Sequence, residues 1–137
     1  MCNMRVALLH APENAFVTSD QPVALFHPDR GSPYGVGPAT PRVEISAPLS
    51  SSCLLLLTHE PEQDEERDAT EQEITEFNRR TMVMADQYVY TGQATPDLVE
   101  RAASLRETSA GFSFDMLRSP GGTYQIMRCV PVYPAGA

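Results

Sequence analysis

The chain is 137 residues long, 42% hydrophobic and 20% charged, with a formal net charge of −8. That length is enough for one domain that buries about two thirds of its unfolded surface, so neither disulfides nor a metal is needed for folding. There is no lysine among the ten basic residues, which excludes a phosphate-loop lysine, a Schiff-base lysine, a Ser–Lys nucleophile pair and the lysine of a restriction-type nuclease core.

The charge is local. Residues 60–76 hold nine acids and one arginine, and the nine acids and nine arginines elsewhere cancel. No basic stripe exists, which argues against nonspecific binding to nucleic acid. The three cysteines, Cys2, Cys53 and Cys129, form no Cys-x-x-Cys and are expected to be buried reduced thiols in a cytoplasmic protein. The apolar run Val6–Leu9 is too short for a signal-peptide core. The longest aliphatic run, Leu54–Leu57, is far short of the about 20 residues of a membrane span.

In chain order, Val6–Leu9 reads as a strand that is apolar on both faces, followed by a turn at residues 10–14. Ala15–Thr18 and Val23–Phe26 read as two further short strands, separated by Ser19-Asp20-Gln21-Pro22. Residues 28–41 hold four prolines and three glycines, so a surface loop is expected there. Val43–Ser46 reads as a strand. Cys53–Thr58 lacks alternation and predicts a strand covered on both faces. An acidic loop over residues 60–70 comes next.

Thr70 and Glu73 then form a capping box. Ile74, Phe77, Thr81, Met84, Ala85 and Tyr88 recur at helical spacing, predicting a helix over about residues 71–91 that ends at Gly92. Thr95-Pro96-Asp97 opens a second helix, about 96–106, with Pro at its first position and a stripe of Leu98, Ala102 and Leu105. Residues 112–129 read as a hairpin: Phe112, Phe114 and Met116 alternate with polar residues, and Ser119-Pro120-Gly121-Gly122 suits a type II turn. The Phe112/Phe114/Met116 face is expected to be core unless another half of a longer protein covers it. The fold class is therefore α+β, one domain over residues 1–137 with a mixed, mostly antiparallel sheet and two helices on one side.

Phe16-Val17-Thr18-Ser19-Asp20-Gln21-Pro22-Val23 resembles a segment of the bacterial domain-of-unknown-function family 4238. The resemblance extends through Pro48-Leu49-Ser50, the strand Cys53–Leu57, Asn78, and Ala85-Asp86-Gln87-Tyr88-Val89-Tyr90. Order and spacing agree over residues 14–92. The chain lacks the family's N-terminal helical half and its His-Tyr-x-Pro-type opening, so it is similar to the C-terminal half alone. The family carries no established activity, and the resemblance assigns no chemistry.

Asp20, at a strand break, is a candidate general base or metal ligand. The alternative is an Asx-turn, in which its carboxylate accepts nearby backbone amides. His10, His27 and His59 each close an apolar strand; side by side with Asp20 they would make a divalent-metal site, although no His-x-His spacing supports one. Asn78 and Arg79 are candidate catalytic residues. Arg80 is expected to pair with an acid one turn away. The acidic run lacks the pattern of a calcium loop.

Two functions are compatible with this sequence. One is a non-catalytic binding or regulatory module, without cofactor, that acts with a protein partner or by self-association. The other is a metal-assisted hydrolase of phosphoesterase or nuclease type, centred on Asp20 with His10 or His59 and Asn78 or Arg79.

Overall fold

A computed structural model describes residues 3–29, 36–61, 65–105 and 110–135, with the backbone alone for Phe112, Ser113 and Arg128. The fold is α+β. Its main sheet has five strands in the order β3-β4-β5-β1-β6, comprising β1 (Arg5–His10), β3 (Ala24–Phe26), β4 (Glu44–Ser50), β5 (Cys53–Thr58) and β6 (Glu66–Asp68). All neighbours are antiparallel except β1 and β6, which run parallel. Two two-stranded sheets accompany it: β2 (Thr18–Ser19) with β7 (Val89–Tyr90), and β8 (Gly111–Ser119) with β9 (Gly122–Val130). The helices are α1 (Glu71–Met84) and α2 (Pro96–Leu105).

Helix α1 covers one face of the sheet. Side chains alternate across a strand, so Ala7 and Leu9 of β1 point the same way as their register neighbours Leu56 and Leu54 of β5. Phe77 of α1 and Phe16 complete that cluster, with Ile74 packed against it. The opposite face is less well covered: Val6 is exposed, and Leu8, Leu55 and Leu57 are only half-buried. The unbroken Leu54–Leu57 run therefore does not mark a strand covered equally on both faces. Part of that second face is closed by Leu25, Val36 and Val43, with Met4, Ile45 and Cys129 against them. The expected Pro/Gly-rich loop thus contributes one core residue, Val36; its residues 30–35 lie outside the described residues.

The predicted 60–70 loop contains β6. Leu8 N donates to Glu65 O, and Ala69 N donates to His10 O, which draws this polar segment onto the edge of β1. Its residues 62–64 lie outside the described residues. Helix α1 begins at the predicted capping box: Glu73 N donates to Thr70 Oγ1, and Thr70 N donates to Glu73 Oε2. It stops at Met84, seven residues before the expected end, because the amides that would extend it are bonded elsewhere, as described below.

Helix α2 is capped by Thr95, whose Oγ1 accepts from Leu98 N. Its predicted stripe of Leu98, Ala102 and Leu105 is half-buried. Arg106, the last residue of the expected helix, lies outside the described residues.

The hairpin forms in the expected place, with two differences. The positive φ falls at Gly122 (140°) and not at Gly121, so the turn is not type II. Phe114 and Met116 stand in solvent and are not core. After the hairpin the chain returns to the body of the fold. Val132 is buried beside Phe26, its N donates to Leu25 O at 2.6 Å, and its O accepts from His27 N at 3.1 Å.

Among the described residues, Cys53 and Cys129 are free and half-buried; burial pushes the Cys129 thiol pKa up. No helix among them is long and apolar enough to cross a membrane.

Candidate functional site

The sequence-predicted site residues do not converge; each is held by a different part of the fold. Asp20 sits just after β2, and both its carboxylate oxygens are in use. Oδ1 accepts from Asp86 N at 3.0 Å, and Oδ2 accepts from Gln87 N at 2.8 Å and Tyr88 N at 3.3 Å. Desolvation pushes its pKa up, but the amides of Gln87, Asp86 and Tyr88 outweigh this, and the net shift is downward. The local turn is made by its neighbour: Ser19 Oγ accepts from Gln21 N at 3.1 Å. Asp20 therefore does not form the expected Asx-turn; its carboxylate bridges to the backbone of another segment. It ends α1, by holding amides that would otherwise bond to carbonyls in the helix's last turn. The same contact seats β2 against β7, where Thr18 pairs with Tyr90 and Ser19 with Val89.

Asn78 is buried on α1 and bonds to the backbone as a neighbouring strand would. Its Oδ1 accepts from Val17 N at 3.0 Å and its Nδ2 donates to Ala15 O at 2.8 Å. Those two bonds fasten the segment before β2 to the helix, where a strand over Ala15–Thr18 was expected. Arg79 binds both carboxylate oxygens of Glu76 at 2.8 Å and donates to Tyr133 O at 2.7 Å. Arg80, for which the sequence favoured a local pair, is the most buried charged side chain among the described residues. It reaches Glu76 at 3.0 Å, as expected, and also Glu44 of β4 at 2.6 Å. Its guanidinium lies 3.6 Å from the Phe26 ring centroid and 4.8 Å from that of Phe77.

The histidines separate because β1 and β5 are antiparallel. His10 closes β1 opposite Cys53, whereas His59 follows Thr58, which pairs with Arg5 at the far end of the strand. His27 follows β3 and shares His59's end of the sheet, with β4 between them. His10 Nε2 lies 2.6 Å from Glu66 Oε1, His59 Nε2 donates to Pro38 O at 2.9 Å, and His27 Nδ1 lies 2.8 Å from Asp29 O. Among the described residues, no three His, Cys, Asp or Glu side chains are grouped so as to hold a metal ion.

What does converge is a cleft. Phe16, Val17 and Thr18 form one wall, Pro48 to Ser51 a second, and Tyr90 to Gly92 a third, around about 300 Å³. The walls are tied together: Phe16 N donates to Ser51 O at 2.9 Å, and β2 pairs with β7. At the rim, a Cβ on Gly92 would fall 2.0 Å from the side-chain oxygen of the exposed Asn14, so a larger residue there displaces that side chain. Thr18, Ser50, Ser51, Tyr90 and Thr91 are among the lining residues, with the Ser50 and Thr91 hydroxyls bonded locally, and among the described residues no carboxylate, imidazole, thiol or guanidinium side chain lines the space. Each wall is a separate segment of the chain, and its approach to the others depends on the β2–β7 pairing, which has only two residues per strand.

Several acids of the acidic stretch are paired: Glu66 with His10, Glu76 with Arg79 and Arg80, and Glu73 with Arg67. Arg67 of β6 grips Glu73 at 2.6 and 2.9 Å. Hydrogen bonding from Arg67 is the main cause of a Glu73 pKa lowered to about 2, with the Thr70 amide adding to it against desolvation. A depressed carboxylate pKa stabilises the fold above its ordinary value of 4.5, and that stability is lost as pH falls toward about 2. The pair is part-buried at the surface and still screened by solvent, so the effect is about 1 kcal/mol. Glu73→Gln, which keeps a capping acceptor, is expected to lower the melting temperature at neutral pH and to flatten its decline between those pH values. Thermal melts across the acid range check this.

These features define a small α+β domain that carries a cleft lined, among the described residues, by apolar and uncharged polar side chains. The model of the protein family of unknown function DUF4238 matches residues 1–95, and the chain belongs to that family. The match takes in β1 to β7, α1 and all three walls of the cleft, and stops before α2 and the hairpin. No curated protein and no solved structure matches the chain.

Proposed function

We propose that the protein is a non-catalytic binding or regulatory module, corresponding to the C-terminal half of longer family members, whose cleft between β2, the β4–β5 turn and β7 takes a neutral ligand or peptide segment. The observation that carries this is the division of labour among its polar groups. Every ionisable side chain that the sequence offers for chemistry is spent on a separate structural bond, and the segments that resemble the family meet at a cleft lined by hydroxyls and apolar side chains. Hydroxyls that donate and accept suit recognition of neutral polar groups. Acid–base or metal-assisted hydrolysis needs a free carboxylate or imidazole within reach of substrate, and the described residues that line the cleft supply neither.

The alternative, a metal-assisted hydrolase centred on Asp20, makes the opposite prediction in one experiment. On the binding reading, Zn²⁺, Mn²⁺ and Mg²⁺ leave the melting temperature unchanged, and Asp20→Ala lowers it equally with and without metal. A metal-dependent rise in the parent protein that Asp20→Ala abolishes would overturn the reading.

A further inference from the structure

Helix α2 buries none of its own residues. Its stripe of Leu98, Ala102 and Leu105 is half-buried, and Val99 is 57% exposed. An amphipathic helix normally packs such a stripe away from water. The space left between α2, the end of α1 and residues 85–91 is a cavity of about 420 Å³, within the range of small-molecule sites. It is separate from the cleft: among the described residues, the two linings share only Thr91.

The lining has two parts. Met82, Leu98, Val99 and Ala102 make it apolar, and Asp86 and Tyr88 add one carboxylate and one exposed ring. Among the described residues, Asp86 is the only charged side chain in the lining. Its backbone amide donates to Asp20, but its carboxylate has no hydrogen bond or ion pair with any described residue. Both groups stand on braced backbone, since the Asp20 carboxylate holds the amides of residues 86–88. Tyr88 is braced again by stacking on Tyr90, with ring centroids 6.3 Å apart. A ligand that meets groups already fixed in place loses little free energy to ordering them.

We propose that this cavity is a second binding site, and that its ligand is an organic cation with an apolar body: a primary ammonium on an alkyl stem. The ammonium pairs with the Asp86 carboxylate through charge-assisted hydrogen bonds. The face of the Tyr88 ring attracts the same charge, and the stem lies along the apolar lining. Other ligand classes fit worse. An anion meets Asp86 and a chain of net charge −8. A neutral apolar molecule strips water from the carboxylate without pairing it. A divalent metal needs several oxygen ligands, and one carboxylate does not hold it. The ammonium has two sources, a free amine or the lysine side chain of a peptide, and they share this chemistry. The site lies outside the cleft, so it stands or falls separately from the proposed function.

The test is an amide NMR titration with three probes of equal chain length: hexylammonium, hexanol and hexanoate. Hexylammonium is expected to shift the amides of Gln87, Tyr88, Val89 and Ala102 and to bind at least about tenfold more tightly than hexanol. Hexanoate is expected to shift none of them. Asp86→Asn changes an exposed side chain and keeps the backbone amide that bonds to Asp20. It is expected to weaken hexylammonium at least about tenfold and to leave hexanol unchanged, which also shows that the cavity is intact. Ala102→Leu, which fills the cavity, is expected to weaken both. A capped Leu-Lys-Leu peptide separates the sources: tighter binding than hexylammonium assigns the site to a peptide side chain, and weaker binding to a free amine. Equal affinity for hexylammonium and hexanol overturns the proposal. So does an Asp86→Asn variant that binds hexylammonium as the parent does, or a parent protein in which hexylammonium shifts no amide at about 10 mM.

Discussion

Arg80→Met is expected to destabilise the protein by about 3 kcal/mol, because it removes one partner from a buried ion pair and leaves carboxylates behind. Arg80 is 6% exposed and stands between β4 and α1, bonded to Glu44 and Glu76. Burial raises the Glu76 pKa and the hydrogen bonds from Arg79 and Arg80 lower it, with the lowering dominant. Met fills much of the same space between Phe26 and Phe77, so most of the loss is electrostatic and little of it is a cavity. That attribution is separable: Glu44→Gln in the Arg80→Met background should recover part of the loss, whereas Glu44→Gln alone should destabilise. Urea unfolding of the four proteins, with an unchanged slope, closes the double-mutant cycle. A loss the same size in both backgrounds would mean that packing against the rings, not charge, holds the site.

Asn78→Leu is expected to be nearly as damaging, again about 3 kcal/mol, for a different reason. Leucine has a similar shape but no polar atoms, so Val17 N–H and Ala15 C=O both lose their partner; a buried backbone group left unbonded costs about 1–3 kcal/mol. Asn78→Asp separates the two bonds. An aspartate can still accept from Val17, but it sets a carboxylate against the Ala15 carbonyl, where the amide donated. Urea unfolding should therefore find Asn78→Asp destabilised as well, and hydrogen exchange should show the Val17 amide protected in Asn78→Asp and open in Asn78→Leu.

The parts of the fold that were legible in the sequence are those set by local chemistry. Thr70 and Glu73 announce a helix start because both halves of the capping box lie within one turn of chain. Pro96 marks the start of α2 for a similar reason, and alternation around residues 119–122 marks the hairpin. The parts that were not legible depend on distant partners. Glu66, Arg67 and Asp68 look like solvated loop, and become a strand only because β1 offers an open edge. The end of α1 is set by a carboxylate 66 residues away from its first amide partner, and nothing in the Met84–Tyr90 pattern reveals it. The histidines all follow strands, but which end of the sheet each occupies depends on strand direction. For Asn78 a signal was present: it lies between Phe77 and Thr81 in a helix that turns this side to the core. A primary amide placed there must satisfy its donor and acceptor inside the fold, which is an argument for a structural bridge.

The Asp20 carboxylate has one further consequence. It belongs to one segment and holds the backbone of another, so the two cannot lose order independently. Releasing β2 frees the amides of residues 86–88 and takes away the seat of β7, and with it one wall of the cleft. The helix end, the short β2–β7 pair and the cleft rim thus form a single cooperative unit that opens as a whole. The cleft walls are held by Asp20 together with the Asn78 bonds to Val17 and Ala15 and the Phe16–Ser51 bond, a set of ties from distant parts of the chain.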